Sequence, residues 1–152
     1  MLTRRNALAS TARVALLLAG LGALPRAALA AYSTAAFEAK TIPELMKALG
    51  AGAPVESKDV TVTAPDIAEN GAVVPVGVST SLPGVKRLLL LVEKNPSVLS
   101  AAFDVNESVE PSFKTRVKMG QSSNVLAVAL MADGRVLYAQ KEVKVTLGGC
   151  GG

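Results

Sequence analysis

From Val60 to Val145 the chain is cut by turn-forming residues into short aliphatic and β-branched runs, a pattern that suits strands and leaves little room for helices. Val60–Thr63 and residues 72–80 are separated by Asn70-Gly71, a strong turn signal. Pro75 has no amide proton for a ladder, so its strand is expected at an edge or with a bulge. Residues 86–93 enclose Leu88-Leu89-Leu90-Leu91-Val92, a run that suits a central strand buried on both faces. Asn95-Pro96 turns the chain, and Leu99, Ala101, Phe103 and Val105 then alternate with smaller or polar residues. Residues 125–131 and 135–145 flank Asp133-Gly134, the clearest hairpin signal of all. Seven or so strands at roughly ten-residue spacing predict a mainly β fold, an immunoglobulin-like antiparallel β-sandwich. The tryptophan and internal disulfide of antibody domains are missing.

One short helix precedes the strands. Thr41-Ile42-Pro43-Glu44 has the spacing of a capping box, with Thr41 as N-cap and Glu44 reaching back to its amide. Ile42, Leu45, Met46 and Leu49 make an apolar stripe, and Gly50 supplies the stop. Residues 32–40 read as a loosely held lead-in. Farther on, Phe113, Thr115, Val117 and Met119 alternate with Lys114, Arg116 and Lys118. The basic face is read as a solvated strand face, with a landing site for an anionic substrate or acidic partner as the sharper alternative.

Residues 1–30 read as an export signal. Arg4 and Arg5 stand ahead of an apolar run of eleven residues, 14–24, and Ala28-Leu29-Ala30 has a small-x-small cleavage pattern. The run is shorter than the roughly 18 residues of a bilayer span, so no membrane anchor is expected. The adjacent arginines favour a twin-arginine signal and a periplasmic, folded passenger over a general secretion signal with two chance arginines, and on either reading the mature chain leaves the cytoplasm. The expected organisation is signal 1–30, helix plus sandwich 31–147, and arm 148–152. The signal carries four arginines and no acid, leaving twelve cations against twelve acids in the remainder. The basic balance therefore resides in the signal and gives no support for nucleic-acid binding.

The remaining chemistry is confined to Gly148-Gly149-Cys150-Gly151-Gly152. Cys150 is the only cysteine, and there is no histidine to act as a base or as a zinc or haem ligand. A single thiol in an exported protein implies intermolecular pairing or a reactive group. Glycines on both sides give a thin arm of wide conformational freedom, and Cys150 lies roughly 13 Å from Thr146 when the chain is extended. No lysine or arginine lies in residues 146–152 to favour the thiolate, and the terminal carboxylate weakly opposes it. Such a thiol suits delivery into another protein's active site. With no base, metal site or cofactor motif, the chain is expected to bear a substrate and not to be an enzyme.

These residues resemble the SoxY family, the sulfur-binding subunits of the thiosulfate-oxidising Sox system. The stretch from Ala64 to Val76, Ala-Pro-Asp-Ile-Ala-Glu-Asn-Gly-Ala-Val-Val-Pro-Val, is similar too, and the resemblance covers essentially the whole chain. It implies that Cys150 carries pathway intermediates as covalent adducts, with no cofactor of its own. It also implies a heterodimer with a SoxZ-like β-sandwich subunit. The other implied partners are a c-type cytochrome that joins thiosulfate to the thiol, a manganese-dependent hydrolase that releases sulfate, and, in some organisms, a sulfane dehydrogenase. A thiol hydrolase or peroxidase is the enzymatic alternative, against which the lack of an activating neighbour argues, and two non-enzymatic readings stay open. One is an exported structural module linked to its partner by a disulfide. The other is a thiocarboxylate carrier acting through Gly151-Gly152, against which the export signal and fold both argue.

Overall fold

The computed structural model describes residues 33–146. Among these residues two helices, α1 Thr34–Glu38 and α2 Ile42–Ala48, precede nine strands. These are β1 Val55–Glu56, β2 Val60–Thr63, β3 Ile67–Ala68, β4 Val74–Thr80, β5 Val85–Val92, β6 Leu99–Asp104, β7 Ser112–Val117, β8 Ser123–Met131 and β9 Val136–Val145. The leucine run of β5 lies in the large sheet, ordered β1-β9-β8-β5-β6, with β3 added to β9. A second sheet, β2-β4-β7, packs over one face.

Leu88, Leu90 and Val92 point into the core shared by the two sheets, with Val74, Val76 and Val78 of β4 opposite. Leu89 and Leu91 point the other way, onto Ala36, Leu45 and Met46 of the helices. All five residues of the run are fully buried. A strand covered on both faces needs no polar alternation, which explains the unbroken apolar run. The layers are thus small sheet, large sheet and helices. Phe103 of β6 and Phe113 of β7 stack at 4.3 Å, joining an edge of each sheet.

The long pairings are antiparallel, as the sandwich reading expects, while β1 and β3 add short parallel pairings to β9. Three local expectations are corrected. Residues 34–38 form a helix with Ser33 as N-cap, and Ala36 and Ala39 are buried. Five residues are too few to show a period, and tertiary packing orders them: Val98 donates to the Ala39 carbonyl at 3.1 Å. The Thr41 hydroxyl caps α2 through the Glu44 amide, but the Glu44 carboxylate accepts from Lys40 N at 3.0 Å and not from Thr41. Gly50, at φ +64°, ends that helix as expected.

The third correction concerns Pro75. Its strand β4 is the middle of the small sheet, yet the β2 ladder stops at the Thr63–Gly77 pair, two residues short of the proline. Pro75 therefore has a strand partner on the β7 side only, opposite Arg116. The physical rule holds locally although the strand as a whole is central. Asp133-Gly134 closes the β8–β9 hairpin with Gly134 at φ +88°. Among the described residues no helix is long and apolar enough to cross a membrane.

Candidate functional site

Thr146 is the last described residue before the glycine-flanked cysteine, so the site is built from what holds the end of β9. Terminal strands fray unless their backbone groups are tied. Here β8 holds one side of β9 as far as the Ser123–Val143 pair, and β3 holds the other through Ile67–Lys144 and Ala68–Val145. Lys144 N donates to the Asp66 carbonyl at 2.9 Å, and Thr146 N donates to the Ala68 carbonyl at 3.1 Å. Just ahead of β8, Ser122 Oγ accepts from Val145 N at 2.9 Å. Amides of the last three described residues are therefore all engaged.

The brace is itself anchored. Lys141 Nζ donates to the Ala64 carbonyl at 2.7 Å and pairs with Asp66 Oδ1 at 3.0 Å. Both partners are substantially exposed, so the ion pair contributes about 0–1 kcal/mol and chiefly sets the path of the chain. Beyond β3, Asn70 Oδ1 accepts from Ala72 N at 2.9 Å in an Asx turn. Gly71 lies against the root: its carbonyl accepts from Met119 N at 2.7 Å. A Cβ there would stand 2.4 Å from the Met119 carbonyl oxygen and 2.8 Å from Val145 Cγ1.

Asn70-Gly71 is therefore not the tight hairpin turn that the dipeptide suggested. β2 and β4 do pair, but residues 64–73 connect them, and β3 within that connection reaches across to β9. The glycine is required by close approach, not by a left-handed backbone; the positive-φ glycines among the described residues are Gly50, Gly84 and Gly134. The stretch 64–76 forms a collar at the root, with Ala64, Ala68, Val74 and Val76 buried and Ile67 and Val73 exposed.

Cys150 and Gly148, Gly149, Gly151 and Gly152 lie outside the described residues, as do Arg4 and Arg5. Lys114, Arg116 and Lys118 are exposed, while Val117 and Met119 between and beyond them are buried, so the alternation is as expected. Ser122 and Lys141 were not singled out from the sequence, and the bracing roles of Asp66, Ala68 and Thr146 were not read from it. Most act through backbone groups, and no residue type announces a carbonyl that braces a neighbouring strand. Among the described residues no cluster of His, Cys, Asp or Glu could hold a metal. The Arg135 backbone N–H, and then its guanidinium, hold the Asp133 carboxyl below its ordinary range. It sits at the hairpin end of β9, away from Thr146.

A family model described as sulfur oxidation protein SoxY matches residues 45–150. The solved sulfur carrier protein SoxY from Chlorobium limicola f thiosulfatophilum is 35% identical, with a TM-score of 0.62 over 69% of this chain and 94% of that one. A superoxide reductase (neelaredoxin) from Ignicoccus hospitalis aligns at 20% identity and TM-score 0.51, covering 57% of this chain and 80% of that one. At that identity the second likeness concerns the fold alone. No curated protein sequence matches.

Proposed function

The chain belongs to the SoxY family of sulfur oxidation proteins, and on that premise we propose that it is a sulfur carrier whose Cys150 holds covalent intermediates and presents them to partner enzymes. One observation carries the reading beyond family membership. The strand is braced through Thr146, and Cys150 follows four residues later between paired glycines. A firmly held root and a thin glycine segment place a thiol up to about 13 Å from the sandwich, a useful reach for entering another protein's site.

The chemistry needs outside help, and its balance shows where. Joining thiosulfate to the Cys150 thiolate forms an S–S bond and releases two electrons, which a c-type cytochrome partner accepts. Hydrolysis of the resulting S-thiosulfonate cleaves the bond between the outer sulfur and the sulfonate group. Water supplies the oxygen of the departing sulfate, two protons leave, and a persulfide stays on Cys150; a manganese-dependent hydrolase is the proposed catalyst. Where an organism has one, a sulfane dehydrogenase is the proposed catalyst that oxidises the remaining sulfur to a sulfonate, with water supplying the oxygens, protons leaving, and a c-type cytochrome accepting the electrons. A SoxZ-like subunit is the proposed heterodimer partner. The periplasm is the proposed location of these events, a reading supported by the twin-arginine pattern at Arg4 and Arg5.

Intact-mass spectrometry of the mature protein without reductant, before and after incubation with thiosulfate and periplasmic extract, tests the reading. Reductant-sensitive additions of sulfur or thiosulfonate that map to Cys150 and vanish in Cys150→Ser are expected. A thiol that stays unmodified under active conditions, or that forms only a disulfide to one protein, refutes it and favours the structural module.

A further inference from the structure

The outer face of the small sheet carries a groove that the carrier chemistry does not use. Its cavity volume is about 570 Å³, and its walls include Ala64, Pro65, Pro75, Gly77, Lys114 and Arg116, with no acidic residue among the lining groups. Register explains its make-up. Lys114 lies opposite Gly77 and Arg116 opposite Pro75, so neither cation faces a side chain able to pair with it. Among the described residues the ion pairs are Arg87–Asp104, Arg135–Asp133 and Lys141–Asp66, and neither Lys114 nor Arg116 takes part in one.

The floor differs from an ordinary solvated strand face. Two prolines and a glycine leave an apolar strip with few side chains, and the stem of Lys114 lies beside Gly77, where an added Cβ would be 3.6 Å from Lys114 Cγ. Farther along the same ladder, Ser79 opposite Ser112 restores an ordinary polar pair. Apolar floor and unpaired cations together complement an extended segment that carries carboxylates beside an apolar side chain.

The groove also lies close to the root of the thiol segment. Pro65 precedes by three residues the Ala68 whose carbonyl holds Thr146 N, a span of at most about 10 Å. A protein seated in the groove would thus stand within reach of Cys150.

The geometry points to this groove as the docking site for an acidic, extended segment of the protein that receives the thiol. The assignment rests on the carrier reading for its purpose but not for its test. The probe is a short peptide of Glu and Asp around one Phe, ending in a cysteine activated as its mixed disulfide with thionitrobenzoate. Its control is the Gln/Asn isostere. The Cys150 thiolate of the full mature chain attacks the peptide sulfur and expels thionitrobenzoate, whose absorbance gives the rate.

At low salt the acidic peptide should react roughly tenfold or more faster than the isostere, with the advantage fading as salt rises. Lys114→Glu with Arg116→Glu should remove the advantage, as should the milder Lys114→Gln with Arg116→Gln. Lys40→Glu with Lys47→Glu makes the same net charge change in and beside the helices on the far face, and should keep it. Equal rates for the two peptides overturn the proposal, as does an advantage that survives both groove variants. Equal loss in the Lys40/Lys47 variant overturns it too, by showing only a general charge effect. The reaction needs the thiol and no sulfur adduct, so failure of sulfur loading and failure of docking are separately visible.

Discussion

Alanine at position 71 is expected to loosen the root of the thiol segment without changing any group that bears chemistry. Gly71 does not occupy the left-handed backbone region, so an alanine can adopt its conformation and the whole effect is steric. The new Cβ would lie 2.4 Å from the Met119 carbonyl oxygen and 2.8 Å from Val145 Cγ1, against ordinary carbon contacts of about 3.5–4.0 Å. The oxygen is backbone and cannot rotate away, so the 70–72 turn must lift. Overpacking of this kind costs about 1–3 kcal/mol. The movement pulls on the hydrogen bond from Met119 N to the Gly71 carbonyl and on the Val145 side chain beside it.

Urea unfolding measures the loss, and amide exchange locates it, with faster exchange expected at Met119, Val145 and Thr146. Gly77→Ala is the internal control. Its Cβ would approach nothing closer than 3.4 Å, so its stability should stay within about 0.5 kcal/mol of the parent. A Gly71→Ala protein as stable as the Gly77→Ala protein, with unchanged exchange at Val145 and Thr146, would refute the close-approach argument.

Three further outcomes are expected. Leu89→Ala opens a cavity between the large sheet and the helices and should cost about 2–5 kcal/mol by denaturant unfolding, since Leu89 is fully buried against that layer. The Asp133 carboxyl should titrate below 3.8 by NMR, and Arg135→Ala should raise its pKa only part of the way, because the larger cause is a backbone N–H that the substitution keeps. With the folded pKa depressed, its small stabilising effect is present above the unfolded value and is lost as pH falls through the folded one. Deleting Gly148 and Gly149 shortens the reach from Thr146 by up to roughly 7 Å and should slow every partner reaction of Cys150 in turnover assays, while unfolding midpoints stay unchanged.

Much of the architecture was legible in residue order because it follows from local rules. The period-two runs, Asp133-Gly134 and the doubly buried leucine run each state their strand through side-chain chemistry that acts over a few residues. The capping hydroxyl of Thr41 and the helix stop at Gly50 are local as well. The candidate thiol is singled out by composition alone, as a lone Cys150 between paired glycines in a chain without histidine, and it lies outside the described residues.

What holds the segment before that thiol was decided only in three dimensions. Asn70-Gly71 has the composition of a hairpin turn, yet its glycine is needed because Met119 and Val145, distant in sequence, crowd it. Ile67–Ala68 is too short to show a period and becomes a strand by pairing with the end of β9. Backbone carbonyls do most of that bracing, and every residue type carries one. Likewise, an alternating basic strand specifies which side chains face outward but not what lies opposite them. Cross-strand register alone set Lys114 over Gly77 and Arg116 over Pro75, leaving both cations outside the ion pairs among the described residues and above an apolar floor.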